Sequence, residues 1–273
     1  MRSLRACARS PSVEDAGGRR GCWEDGGPAP CCGGGWGTLS ELGLGGRLFR
    51  PPPRLQRPTC PEVRAGATVA PKSLFERFDY SGVGHSDGIL EECTVGKWRK
   101  DVLSIIDDLA DGPQILVGSS LGGWLMLHAA IARPEKVVAL LGVSTAADDL
   151  VTRFNQLSVE AKKEVEMKGE WVIPSKYSEE GVYHIQYSFI KEAEHHCLLH
   201  SPVPVSCPVR LLHGMKDDIV PWHTSMQVAD RVISSDVDVI LRKNSDHRMK
   251  EKADIQLIVY TIDDLIDKLT TSA

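Results

Sequence analysis

At 273 residues, 42% hydrophobic and 25% charged, the chain has the make-up of a globular protein of one large or two small domains. A formal net charge of -5 and a pI near 6.0 provide no concentrated basic face, which argues against a nucleic-acid partner. There is no run of about 18 apolar residues and no apolar leader, so neither a transmembrane helix nor a secretory signal is expected and the default compartment is intracellular.

Residues 1–72 are rich in Gly, Pro and Arg, including GGG and PPP, with few apolar residues in periodic order. Such a segment cannot offset its ordering entropy and is expected to be disordered. Arg2, Arg5, Arg9, Arg19 and Arg20 suggest an organellar presequence, but Glu14, Asp15, Glu24 and Asp25 interrupt it. The pattern changes at Ser73, and residues 73–273 form the expected domain. A strand over residues 74–80 runs into the turn Ser81-Gly82-Val83-Gly84, after which Trp98, Val102, Ile105, Ile106 and Leu109 recur at helical spacing.

Ile115-Leu116-Val117 reads as a buried strand entering a glycine turn. Residues 121–132 read as a helix stopping before Pro134, and residues 136–144 as a second buried strand. Residues 147–205 break this rhythm with polar helical stretches and scattered aromatics, as a small helical cap inserted over the sheet would. The rhythm returns with strands over 209–212 and 237–241 and helices over 225–232 and 253–269. Strands alternating with helices imply an α/β fold, a mostly parallel sheet covered on both faces.

Of the eight cysteines, Cys7, Cys22, Cys31, Cys32 and Cys60 lie in the leading segment. Cys93, Cys197 and Cys207 show neither CxxC pairing nor zinc spacing and read as free thiols. His195, His196 and Cys197 are adjacent rather than spaced to converge on a metal, and read as surface or interface residues.

Gly118-Ser119-Ser120-Leu121-Gly122 is a G-x-S-x-G motif between an apolar strand and a helix. A nucleophile must project from a sharp strand-to-helix turn, and flanking glycines let the backbone bend there, which points to Ser120. The helix it opens presents unpaired N–H groups, so the Leu121 amide is a candidate oxyanion donor. Asp217, in the loop after the strand 209–212, is placed to orient a histidine, while its neighbour Asp218 reads as a cap or solvated turn carboxylate. His247 follows the last strand. The order Ser, Asp, His is that of α/β-hydrolases. The chemistry requires no metal or organic cofactor.

The strings FDYSGVGHSDG, GKWRKDVLSIIDDLADGPQILVGSSLGGW, EAEHHCLLHSP and LLHGMKDDIVPWHTSMQVADRV, from about Arg77 onward, resemble the mitochondrial acyl-protein thioesterases of the α/β-hydrolase-domain family, also described as acyl-glucuronide esterases. The resemblance covers roughly the last 200 residues. It implies the α/β-hydrolase fold, S-acylated proteins and small acyl glucuronides as substrates, a mitochondrial location, and a triad mapping onto Ser120, Asp217 and His247. Trp171, Val172 and Ile173 are candidates for an acyl groove or for packing of the cap.

The chain departs from the family at its front. The strand expected beside Ile115-Leu116-Val117, and the loop after it that carries the second oxyanion donor, are not found upstream of Ser73. The chain thus looks like an isoform with a replaced N-terminus, its sheet edge left open or closed by the strand ending at Phe78. Its activity is an expectation with two alternatives, a general carboxylesterase and an isoform impaired by loss of the oxyanion loop; the presequence is doubtful, and the chain cytosolic if it is lost.

Overall fold

The computed structural model describes residues 75–271 and, upstream of them, the strand Gly46–Phe49. The rest of the leading segment, including the presequence reading, lies outside the described residues. The main sheet has six strands: β1 (Gly46–Phe49), β2 (Phe75–Phe78), β3 (Gln114–Ser119), β4 (Val137–Val143), β7 (Val209–Gly214) and β8 (Val237–Arg242), in the order β2-β1-β3-β4-β7-β8. Pairing is parallel from β3 to β8, and β1 is antiparallel to both its neighbours.

The inner strands β3, β4 and β7 are near-continuous apolar runs because both their faces are covered. Side-chain alternation sends Leu116, Leu140 and Leu211 to one face, where they pack with Trp98 and Val102 of α1 (Val95–Ser104), Trp124 and Leu127 of α2 (Leu121–Ala132) and Val228 of α6 (His223–Arg231). Ile115, Val117, Leu141 and Leu212 face the other way, onto Ile262 and Leu265 of α7 (Lys252–Thr271). Helix α2 is apolar all round and buries nine of its twelve residues, as a helix between sheet and cap must. Helix α1 ends in a π-helical turn over Ile105–Leu109.

Two expectations are corrected. The cap is not wholly helical. Between α3 (Asp149–Asn155), α4 (Val159–Lys168) and α5 (Tyr187–Ala193) it carries an antiparallel hairpin, β5 (Glu170–Pro174) and β6 (Val182–Gln186). The Trp-Val-Ile and Val-Tyr-His-Ile runs are rich in β-formers, and Gly169, at φ 76°, stops α4 so that the chain can turn into β5. Nor is the edge of β3 open. Gly46–Phe49, within a stretch read as unable to order, pairs with β2 and β3 together. Two facing strand edges with unmet N–H and C=O groups accept almost any short extended segment, so the backbone supplies what side-chain periodicity does not.

The strand fills the gap in reverse. Gly46 lies opposite Gly118 and Phe49 opposite Ile115, so the chain leaves β1 at the N-terminal end of β3. Since every N–H of an inner strand points at one neighbour or the other, Leu48→Pro removes a sheet hydrogen bond whichever side it faces. We expect the unfolding midpoint to fall, at a cost of about 1–3 kcal/mol. A melt unchanged by the substitution would mean that β1 does not contribute to the sheet.

Candidate active site

Ser120 stands at the turn from β3 into α2 with φ 52° and ψ -121°, a strained conformation for a residue with a side chain. The strain is held by packing. A Cβ on Gly118 would lie 2.3 Å from the Gly122 carbonyl oxygen, so only glycine lets the strand and the first turn of the helix meet so closely. The Ser120 amide donates to Val143 O at 2.9 Å, and its carbonyl accepts from Gly123 N and Ala146 N, each at 3.0 Å. The turn is therefore pinned on both sides. The Leu121 N–H opens the helix and has no intrahelical acceptor.

His247 Nε2 lies 3.1 Å from Ser120 Oγ, and its Nδ1 lies 2.8 Å from Asp217 Oδ2. The nitrogen facing the carboxylate carries the proton, which leaves Nε2 free to accept from the serine hydroxyl. Ser120 and His247 are buried, and the Asp217 side chain has no exposed surface. Burial alone raises a carboxyl pKa. Here hydrogen bonds from His213 and His247, the nearby His247 and the Val220 amide outweigh it and hold Asp217 below the usual carboxylate range.

His213, which sequence reasoning passed over, is part of this arrangement. Its Nε2 faces Asp217 Oδ2 and Val220 O, both at 3.0 Å, and its Nδ1 lies 2.8 Å from Ser225 Oγ. Nε2 therefore donates and Nδ1 accepts. The ring thus holds the same oxygen that His247 faces, Oδ2, while the Ile219 and Val220 amides donate to Oδ1 at 2.9 and 2.8 Å. The histidine loop is anchored separately: Ser245 Oγ donates to Asp254 Oδ1 of α7 at 2.6 Å, and a Cβ on Gly214 would sit 2.3 Å from Ser245 O.

Over these groups the cap encloses a cavity of about 230 Å³. Ser120, Leu121 and His247 line it, with Leu90, Trp98, Trp124, Leu150, Val182, Ile185 and Phe189 as apolar wall and Asp149, Arg153 and Tyr177 among its polar groups. Of the three proposed acyl-groove residues only Ile173 lines the cavity. Trp171 packs edge-on against Phe154, ring centroids 5.8 Å apart, in the cap's own small core. Val172, on the opposite face of the strand, is 44% exposed. Strand alternation separates Val172 from its neighbours, and the ring of Trp171 is taken by the cap.

Asp218, read as a cap or turn carboxylate, instead makes a half-exposed ion pair with Lys176 of the cap at 3.1 Å. Cys93, Cys197 and Cys207 are free, and among the described residues no His/Cys/Asp/Glu cluster could hold a metal ion. Of the His195–Cys197 stretch, read as surface or interface residues, His195 is exposed, while His196 and Cys197 are half-buried and His196 bonds Glu192 at 2.7 Å. No helix among the described residues is long and apolar enough to cross a membrane.

Residues 109–270 match the model of the prolyl oligopeptidase family. Curated relatives from Pongo abelii and Homo sapiens, both described as the mitochondrial palmitoyl-protein thioesterase ABHD10, are 89% and 87% identical over 195 residues. These residues are 71% of this chain and 64% of each relative, so the chain spans less than two thirds of their length. The solved structure of α/β-hydrolase domain-containing protein 10 from mouse superposes with a TM-score of 0.69 at 75% identity, over 72% of this chain and 78% of that one. The fold is thus that of an α/β-hydrolase, as the chain order of strands and helices implies.

Asp149 gives the site a measurable pH dependence. Burial pushes its carboxyl up to about 6, with the Asp217 charge adding to the rise and Arg153, His247 and His213 opposing it. An acid whose folded pKa lies above its unfolded value binds more protons when folded, so stability falls as pH rises from about 4 to 6. In urea titrations the parent should lose on the order of 1–3 kcal/mol over this window relative to Asp149→Asn. Equal slopes in the two proteins would show that Asp149 ionises freely.

Proposed function

Because the chain belongs to the prolyl oligopeptidase family and is a homologue of α/β-hydrolase domain-containing protein 10, we propose that it is a serine hydrolase of acyl thioesters, removing S-palmitoyl groups from protein cysteines. Acyl-glucuronide esters are proposed as further substrates, and the mitochondrion as the location. The observation that carries this reading is the continuous hydrogen-bonded line from Ser120 through His247 to Asp217, opening into a largely apolar cavity.

In this mechanism His247 Nε2 takes the Ser120 proton as Oγ attacks the thioester carbonyl carbon. Asp217 stabilises the imidazolium that results, and the Leu121 N–H, at the start of α2, donates to the oxyanion. As the tetrahedral intermediate collapses, the C–S bond breaks and His247 returns its proton to the cysteine sulfur. Water, deprotonated by the same ring, then releases the acid from Ser120. The apolar wall favours a fatty acyl chain by burying its methylenes, each contributing about 0.8 kcal/mol.

One feature favours a second reading, a catalytically impaired isoform. Since β1 runs antiparallel to β3, the chain leaves it at the edge of the sheet opposite Ser120. A strand parallel to β3 would deliver its following loop beside Ser120, whereas β1 directs its C-terminal end away from it, and loss of one oxyanion donor lowers rates by about 10²–10³.

Fluorophosphonate labelling separates the two readings. The purified chain should label at Ser120 and hydrolyse an S-octanoyl-cysteine substrate, with both properties lost in Ser120→Ala. Asp217→Asn should reduce turnover by about 10⁴, since the histidine would be held in the wrong tautomer. Absence of labelling in a cooperatively melting parent would reject the hydrolase reading for this chain and favour the impaired isoform.

A further inference from the structure

Asp149 and Arg153 stand in the cavity with Ser120 and take no part in the hydrogen-bonded line of Ser120, His247 and Asp217. They come from successive turns of α3, the first cap helix, which starts close to the C-terminal end of β4. Asp149 is only 9% exposed, and among the described residues its carboxyl accepts no hydrogen bond; its sole ionic partner is Arg153 Nη1 at 3.8 Å. Arg153 is fixed at one corner, where Nη1 donates to Ile219 O at 3.1 Å and the guanidinium lies over Trp171 at 5.8 Å from the ring centroid. Its Nε and Nη2 have no acceptor among the described residues.

An acyl chain cannot use this pair. A carboxylate and a guanidinium covered by methylenes would lose water and gain nothing, whereas the cavity's leucine and aromatic wall accepts the chain without that cost. The pair therefore faces the other half of the substrate. An acceptor beside a donor, a few ångströms apart on one wall, is the complement of the N–H and C=O of one residue, which in extended backbone point to the same side, whereas the two groups of a single trans amide point opposite ways. Resting on the thioesterase reading above, we propose that Asp149 and Arg153 are specificity-determining residues that hold the backbone of the acylated cysteine, its N–H donated to Asp149 and its C=O accepting from Arg153.

The test compares two thioesters with the same acyl group: S-octanoyl-N-acetylcysteine methylamide, which carries peptide units, and S-octanoyl ethanethiol, which has none. The parent should prefer the first in kcat/KM. Asp149→Leu and Arg153→Met should each reduce that preference about tenfold, mainly through KM, the size expected for a lost hydrogen bond to a charged group. Asp149→Asn keeps a neutral acceptor in the same shape and should reduce it about threefold, which covers the case in which the leucine variant does not fold.

Equal losses on both substrates would mark the pair as structural and overturn the proposal, as would an unchanged preference. A parent preferring 1-O-octanoyl glucose to the cysteine thioester would overturn it too, since sugar hydroxyls would then be the group read. Calorimetric binding of the two matching thioethers, which cannot be cleaved, reads the same ratio in a chain that does not turn over. Failure of fluorophosphonate labelling with the binding ratio intact would thus reject the hydrolase reading alone, and equal binding of both thioethers would reject the cysteine-backbone assignment alone.

Discussion

The carboxylate of Asp217 is fully buried and surrounded by four donors, the rings of His213 and His247 and the amides of Ile219 and Val220. An isolated charge in such a place would be strongly unfavourable, so the loops supplying those donors have to meet around it. One ring comes from the end of β7 and the other from the loop after β8, while both amides belong to the turn of Asp217 itself. The same constraint sets the tautomer of His247 and so aims its free nitrogen at Ser120. Removing any one donor would leave a buried charge short of a partner.

Glycine makes that meeting possible. Gly118 and Gly214 occupy equivalent places near the ends of β3 and β7, and at each a Cβ would collide with a backbone carbonyl brought in from another turn, at 2.3 Å in both cases. Parallel strands bring all these turns to one edge, where the loops after β3, β7 and β8 gather the three side chains. The cap is tied to the same edge. Both carboxylate oxygens of Asp148 accept from the Leu198 amide at 2.9 Å and Oδ2 also accepts from the Leu199 amide at 2.7 Å, joining the start of the insertion to its return, and Lys176 reaches Asp218 beside the acid loop.

Much of this was legible in order. Helix α2 occupies the residues that apolar content and Pro134 delimit, and the buried strands β3, β4 and β7 and the half-buried edge strand β8 stand where the strand patterns predict them. The candidate nucleophile, acid and base were readable because each needs a particular residue type in a particular turn after a particular strand. Strand β1 was not readable: four residues that begin within a Gly pair and end just before a Pro run carry no periodic pattern, and what orders them is the gap between β2 and β3. The cap hairpin was hidden for a related reason, since short strands pairing only with each other have half-buried faces and weak alternation.

The alternation of strands and helices, the edge at which the loops converge, and the types and order of Ser120, Asp217 and His247 follow from the residues alone, because local backbone geometry and chain direction dictate them. Folding in three dimensions adds that His213 shares the carboxylate of Asp217, that Asp149 and Arg153 enter the cavity while Trp171 and Val172 do not, and that β1 runs opposite to β3. These depend on which groups meet across long stretches of chain, where burial and unmet hydrogen bonds choose the partner and no sequence period records the choice.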